Sequence, residues 1–82
     1  MSVAAIIPAY NEEKTIGSVI QTLQDSILVD RIFVVSDGSE DGTVEEASRF
    51  SGVEVIELLI NRGKGGALKA GLDYCKDDVI II

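Results

Sequence analysis

Apolar residues fall along this chain in two alternating patterns. Val3 to Ile7 is an unbroken apolar run, the form of a strand buried on both faces. Pro8 reads as its end. Asn11 is placed to cap the next element, and Glu12 and Glu13 suit a helix N-terminus. Ile16, Val19, Ile20 and Leu23 then recur at helical spacing, one apolar face of an amphipathic helix. Ile32 to Val35 repeats the strand pattern. Val44, Ala47 and Phe50 return to helical spacing, with Gly52 as a C-cap. Val53 to Leu59 is strand-like, Leu68, Gly71, Leu72 and Cys75 form a third helical stripe, and Val79 to Ile82 is a fourth buried-strand pattern.

The order β-α-β-α-β-α-β predicts an α/β domain spanning 1–82, with a four-stranded parallel, Rossmann-like sheet and right-handed crossovers. The stretch DDVIII at the end predicts an apolar strand edge. A second copy pairing there would cover it, so a homo-oligomer through the last strand is expected.

Composition narrows the function. The chain has 82 residues, nearly half of them apolar (46%), which excludes a disordered segment. A net charge of −7 argues against nucleic acid and anionic lipid as partners. A single cysteine, Cys75, rules out an internal disulfide and suits a reducing, cytoplasmic setting. The absence of histidine excludes every triad or zinc site that needs one. The N-terminal stretch MSVAAIIPAYNEEK lacks the basic start of a signal peptide, and no apolar run approaches the ~20 residues of a membrane-spanning helix.

The densest chemistry lies in VVSDGSEDGT, Val34 to Thr43. Asp37, Ser39 and Asp41 have the spacing of a calcium loop, but Ser48 stands where that loop needs a bidentate Glu. A Walker loop fails at Leu58 and Gly65, and a dinucleotide fingerprint fails at Leu68. What remains is a site at the carboxyl ends of parallel strands, where ligands bind in open α/β sheets. Three loops reach that edge: Pro8 to Glu13, Ser36 to Thr43, and Asn61 to Gly66. Tyr10 offers a ring for base stacking, and Glu12 and Asp37 offer acceptors for ribose hydroxyls or base N–H groups. Lys64, in a glycine-rich turn opening a helix, suits a diphosphate. Read from the residues alone, Pro8 is a strand terminator, Asp37 and Gly38 also fit an Asx turn, and Lys64 also fits a solvated lysine. Asp41 and Thr43 read as helix-start residues, Arg62 as surface and Cys75 as core, while Glu45, Glu46, Asp77 and Asp78 are expected to face solvent.

Taken together, IIPAYNEEKTIGSVI, VVSDGSEDGT and NRGKGGALKAGL, in this order and spacing, resemble the N-terminal half of a family 2 glycosyltransferase of the GT-A fold. The nearest flavour is that of dolichyl- or polyprenyl-phosphate sugar transferases. The resemblance implies a nucleotide-diphosphate sugar donor, a divalent metal (Mg²⁺ or Mn²⁺ in the complete enzyme) and direct displacement at the anomeric carbon. Carried over by position, Pro8, Tyr10 and Glu12 line the base and ribose, Asp37 contacts the base, and Lys64 lies near the ribose-diphosphate end. A membrane then enters only through a lipid-linked acceptor or a part outside these residues.

Two departures from the family pattern carry consequences. Ser36 stands where the family usually has the first Asp of Asp-Asp-Gly-Ser, so Ser36→Asp is expected to strengthen nucleotide binding. The Asp-x-Asp motif that follows the fourth strand in the family is absent, as is the general base; these residues include no metal ligands and no catalytic residue. Without them the leaving diphosphate lacks its metal and the acceptor lacks its base. A truncated donor-binding half, inactive alone, is the expectation. The alternative is a non-catalytic module that self-associates through its last strand.

Overall fold

The computed structural model describes residues 3–75 and 78–82. Seven elements alternate along the chain: β1 (Val3–Ala9), α1 (Ile16–Gln24), β2 (Arg31–Asp37), α2 (Thr43–Ser48), β3 (Val53–Leu58), α3 (Gly63–Tyr74) and β4 (Asp78–Ile81). The four strands form one parallel sheet in the order β3-β2-β1-β4. The α/β, Rossmann-like architecture expected from the pattern is the one found.

Strand alternation divides the core into two layers. Ile7 and Ala9 of β1 and Ile32 and Val34 of β2 face α1 and α2, meeting Ile16, Ile20 and Ala47. Ala4 and Ile6 of β1 and Phe33 and Val35 of β2 face α3, meeting Ala67. Because β1 and β2 are central and covered on both faces, their sequences read as continuous apolar runs rather than alternating ones.

Helix α3 corrects the stripe read from the sequence. Its buried residues are Ala67 and Gly71, whereas Leu72 is 42% exposed. Leu68 and Cys75 pack at the margin of the cluster. The reason is distance. A Cβ at position 71 would stand 2.8 Å from Ile6 Cγ2 and 3.1 Å from Val35 Cγ2. The helix lies so close to the sheet that only its small residues fit beneath it, and the larger ones turn outward.

Several boundaries also move. β1 continues through Pro8, which sits opposite Val35. Asn11 is not a helix cap. It adopts φ 50°, and α1 begins only at Ile16, after Thr15 and Ile16 donate to the Glu12 carbonyl at 3.1 and 2.8 Å. Helix α2 ends at Ser48, with Arg49 rather than Gly52 as its C-cap; Gly52, at φ 78°, turns the chain into β3. Phe50 lies beyond α2 and still packs on the first cluster. Leu59 is exposed, outside β3. β4 starts at Asp78, and Ile82 extends it by donating to the Ile6 carbonyl at 3.1 Å. Glu45 and Asp78 are exposed and Glu46 is half-buried; Asp77 lies outside the described residues. Among the described residues, no helix is long and apolar enough to cross a membrane.

Candidate functional site

The chain steps from β1 to β2 to β3 in one direction, then returns to place β4 on the other side of β1. The strand order therefore reverses at β1, and the carboxyl ends beside it form the crevice that open parallel sheets offer to ligands. Three loops meet there, and hydrogen bonds stitch each to the next.

The loops after β2 and β3 are joined through Asp37. Its side chain is almost fully buried, at 4% exposure. One carboxylate oxygen, Oδ1, accepts the Arg62 N–H at 2.7 Å. Asn61 Nδ2 donates to the Asp37 carbonyl at 3.0 Å, and Asn61 Oδ1 accepts the Gly63 N–H at 3.0 Å. Gly38 makes this approach possible. Its φ is +71°, and a Cβ there would lie 2.6 Å from the Asn61 backbone nitrogen.

The loops after β1 and β2 are joined by a second set. Asn11 donates its N–H to Ser39 Oγ at 3.1 Å, and its Oδ1 accepts the Glu40 N–H at 2.8 Å. Glu12 donates its N–H to Thr43 Oγ1 at 2.8 Å, and Glu13 donates to Asp41 Oδ2 at 3.3 Å. Asp41 Oδ1 in turn accepts both the Thr43 N–H, at 3.0 Å, and the Thr43 hydroxyl. The Thr43 hydroxyl, with smaller help from the backbone donors, holds the Asp41 carboxyl below the usual aspartate range. Asp41 is thus an anion, and an acceptor, throughout the neutral range.

These ties shape a small open cleft of about 60 Å³ lined by Pro8, Ala9, Tyr10, Glu12, Asp37 and Lys64. All five residues singled out from the sequence meet in it. Pro8 and Asp37 project on the α3 side of the sheet, Tyr10 stands at the rim with its ring half exposed, and Lys64 enters from the first turn of α3. A larger hollow of about 530 Å³ lies between β3 and α3, with Ile56, Leu58, Arg62 and Tyr74 among its walls. It lies to the β3 side of the reversal, on a part of the sheet that α3 leaves open. The smaller cleft has an aromatic face, two carboxylates and an ammonium group converging at the reversal, and that convergence marks a ligand site better than volume does.

The sequence matches the description "Glycosyl transferase family 2" over residues 4–82. The chain belongs to that family. A dolichyl-phosphate beta-glucosyltransferase of Drosophila melanogaster is 38% identical over 87 residues, covering 88% of this chain and 27% of the relative. A glucosyl-3-phosphoglycerate synthase of Mycolicibacterium paratuberculosis is 34% identical over 89 residues, covering 98% of this chain and 27% of the relative. Among solved structures, the glucosyl-3-phosphoglycerate synthase of Mycobacterium tuberculosis, in complex with Mn²⁺, UDP and glucosyl-3-phosphoglycerate, superposes with a TM-score of 0.85 at 34% identity. That match covers 99% of this chain and 32% of the other. A mannosyltransferase of Pyrobaculum calidifontis, in complex with GDP-mannose and Mn²⁺, gives a TM-score of 0.83 at 25% identity, over 90% of this chain and 24% of its own. The chain spans about a quarter of the length of the curated relatives it matches, as the 27% shares show.

Family 2 structures with Mn²⁺ raise the question of a metal here. Among the described residues, no three carboxylate or thiol side chains converge as a metal would require. Asp37, the buried carboxylate of the cleft, already has one oxygen on the Arg62 N–H.

The family 2 comparison at Ser36 needs correction. Ser36 alternates with Asp37 along β2, so its side chain points to the α1–α2 face, away from the cleft. It is fully buried, and its hydroxyl has no hydrogen-bond partner among the described residues. An aspartate there would bury a carboxylate behind the sheet and add no ligand contact, so the expected gain in binding from Ser36→Asp does not follow. Ser36→Ala removes an unsatisfied hydroxyl instead, and is expected to raise the unfolding free energy by about 1 kcal/mol. Urea unfolding measures this, and a clear loss of stability would show that the hydroxyl has a partner.

What the sequence reading missed is the work of Asn11, Ser39, Asp41 and Thr43. Their types suit caps and turns, and periodicity carries no signal for bonds across 28 to 31 residues of chain. Full burial of Thr43, a polar residue at a helix start, is the feature that betrays it.

Proposed function

We propose that this chain supplies the nucleotide end of a donor site in a family 2 glycosyltransferase, and that its ligand is a nucleotide-diphosphate sugar. The observation that carries the proposal is the meeting of Pro8, Tyr10, Glu12, Asp37 and Lys64, from three loops, in one cleft at the point where strand order reverses. The exposed ring of Tyr10 suits a base. Glu12 and the second oxygen of Asp37 suit ribose hydroxyls or base N–H groups. Lys64, at the start of the 12-residue α3, adds an ammonium to the positive end of a helix dipole, the chemistry of a diphosphate site. Relatives solved with UDP and with GDP-mannose support this choice of ligand class.

Transfer of the sugar belongs, in this proposal, to groups that these 82 residues do not supply, and a cytoplasmic setting goes with the single free thiol of Cys75. The test is calorimetric titration with UDP, GDP and their sugars, with CTP as control. Saturable binding of one diphosphate series is expected, and heats no different from dilution for all of them would overturn the reading.

A second reading concerns association. β4 is an edge strand, and Ile80, Ile81 and Ile82 are each between 40% and 55% exposed. Pairing of this edge with a second copy would cover them. Sedimentation equilibrium is expected to show a dimer in the micromolar range, and a clean monomer at high concentration would end this reading.

A further inference from the structure

Three consecutive backbone N–H groups, those of Asn11, Glu12 and Glu13, all donate to side chains of the loop after β2. The positive φ of Asn11 turns the chain so that they do. Asn11 is the one described non-glycine residue with that backbone conformation. Its own side chain then accepts the Glu40 N–H, which closes the tie from the other side.

A helix-starting role accounts for only part of this: Thr43 is the first residue of α2, and its N–H donates to Asp41 Oδ1 at 3.0 Å. A capping side chain accepts N–H groups of its own helix, and the Thr43 hydroxyl instead accepts the Glu12 N–H and donates to Asp41. Helix α2 has no side-chain cap bond from its N-cap, Gly42. A threonine that only began a helix would also have no reason to be fully buried.

We infer that Thr43 and Asp41 are positioning residues for the cleft. They do not line it. They hold Glu12 by its backbone, and with it Tyr10 two residues earlier, so that both side chains are presented to the ligand before it arrives. Holding a loop in its bound form lowers the entropic cost of binding. The ligand in this inference rests on the donor-site reading, whereas the lock itself rests only on the hydrogen bonds.

The experiment compares Thr43→Val, which keeps the shape and removes the acceptor, with Thr43→Ser, which keeps the hydroxyl. Amide hydrogen exchange at Glu12 and Glu13 is followed by NMR, and UDP and GDP affinity by calorimetry. Thr43→Val is expected to speed Glu12 exchange and to weaken nucleotide binding, each by about tenfold, the size of one lost hydrogen bond. Exchange within β1 and β2 should not change. Thr43→Ser is expected to match the parent in both readouts, a rescue that a purely structural loss of burial would not give. Should Thr43→Val not fold, Asp41→Asn serves: it replaces one accepting oxygen by a donor and is expected to free the Glu13 amide. Unchanged exchange at Glu12 and Glu13 overturns the lock, and faster exchange with unchanged affinity overturns its positioning role. If the parent chain binds no nucleotide, the donor-site reading falls while the exchange comparison still judges the lock.

Discussion

Alanine at Gly38 is expected to lower the unfolding free energy by about 2–5 kcal/mol and to abolish nucleotide binding. Two effects add. The backbone sits at φ +71°, which disfavours any residue with a Cβ by roughly 1–2 kcal/mol. The new methyl would also stand 2.6 Å from the Asn61 nitrogen and 3.1 Å from the Ile60 carbonyl carbon. Backbone atoms cannot swing aside as the end of a side chain can, so overpacking adds about 1–3 kcal/mol. The loop after β3 must move outward, and the Arg62 N–H leaves Asp37 with it. A domain of this size has a total stability on the order of 5–10 kcal/mol, so the loss is a large share. Gly52 provides the control. Its φ is +78°, but nothing lies within 4 Å of the Cβ it would gain. Gly52→Ala should therefore show the backbone effect alone, about 1–2 kcal/mol. Equal losses for the two variants in urea unfolding would mean that the close approach at Gly38 has no energetic weight.

Replacing Asp37 is expected to act on the ligand directly. Its Oδ1 is committed to the Arg62 N–H, and its second oxygen is the acceptor proposed for the nucleotide. Asp37→Ala removes both. Loss of a charge-assisted hydrogen bond to the ligand corresponds to about 10–150-fold in affinity. Stability should fall as well, by about 1–3 kcal/mol, because the Arg62 N–H is left without its acceptor. Asp37→Asn separates the two roles. The amide oxygen can still accept from Arg62, while the amide nitrogen donates where an acceptor is needed. Near-parent stability with affinity as weak as that of Asp37→Ala is the expected result. Parent-like nucleotide affinity in Asp37→Ala would remove Asp37 from the site.

The two sets of loop ties give these substitutions different signatures. Gly38 and Asp37 act between the loops after β2 and β3, whereas Asp41 and Thr43 act between the loops after β1 and β2. Mutations on opposite sides of Asp37 should therefore expose different amides to exchange, those of Arg62 and Gly63 in one case and of Glu12 and Glu13 in the other.

The order of elements was legible because each element has its own period. Unbroken apolar runs at Val3 and Ile32 marked the two central strands, and i, i+3, i+4 spacing at Ile16, Val19 and Ile20 marked α1. Convergence of Tyr10, Glu12, Asp37 and Lys64 was legible from the order of the loops, while Pro8 joined them only through the family resemblance. In a parallel sheet every strand ends at the same edge, so any loop that follows a strand arrives there. Boundaries slipped where local signals competed with tertiary ones. Pro8 looks like a stop, yet β1 runs through it in register with Val35 of β2. Leu72 looks like core, yet α3 lies too close to the sheet to bury it, and Gly71 takes the contact.

By itself, then, the sequence determined the α/β alternation and the edge at which the candidate site lies, since both follow from short-range periodicity and loop order, whereas Pro8 entered the site only through the family resemblance. Only the tertiary structure decided that β4 flanks β1, that Ser36 faces away from the cleft, that Gly38 touches Asn61, and that Thr43 and Asp41 hold the loop before α1. Each of these depends on which distant segments become neighbours. That is settled by the packing of whole layers, and a pattern that repeats every two or every 3.6 residues does not record it.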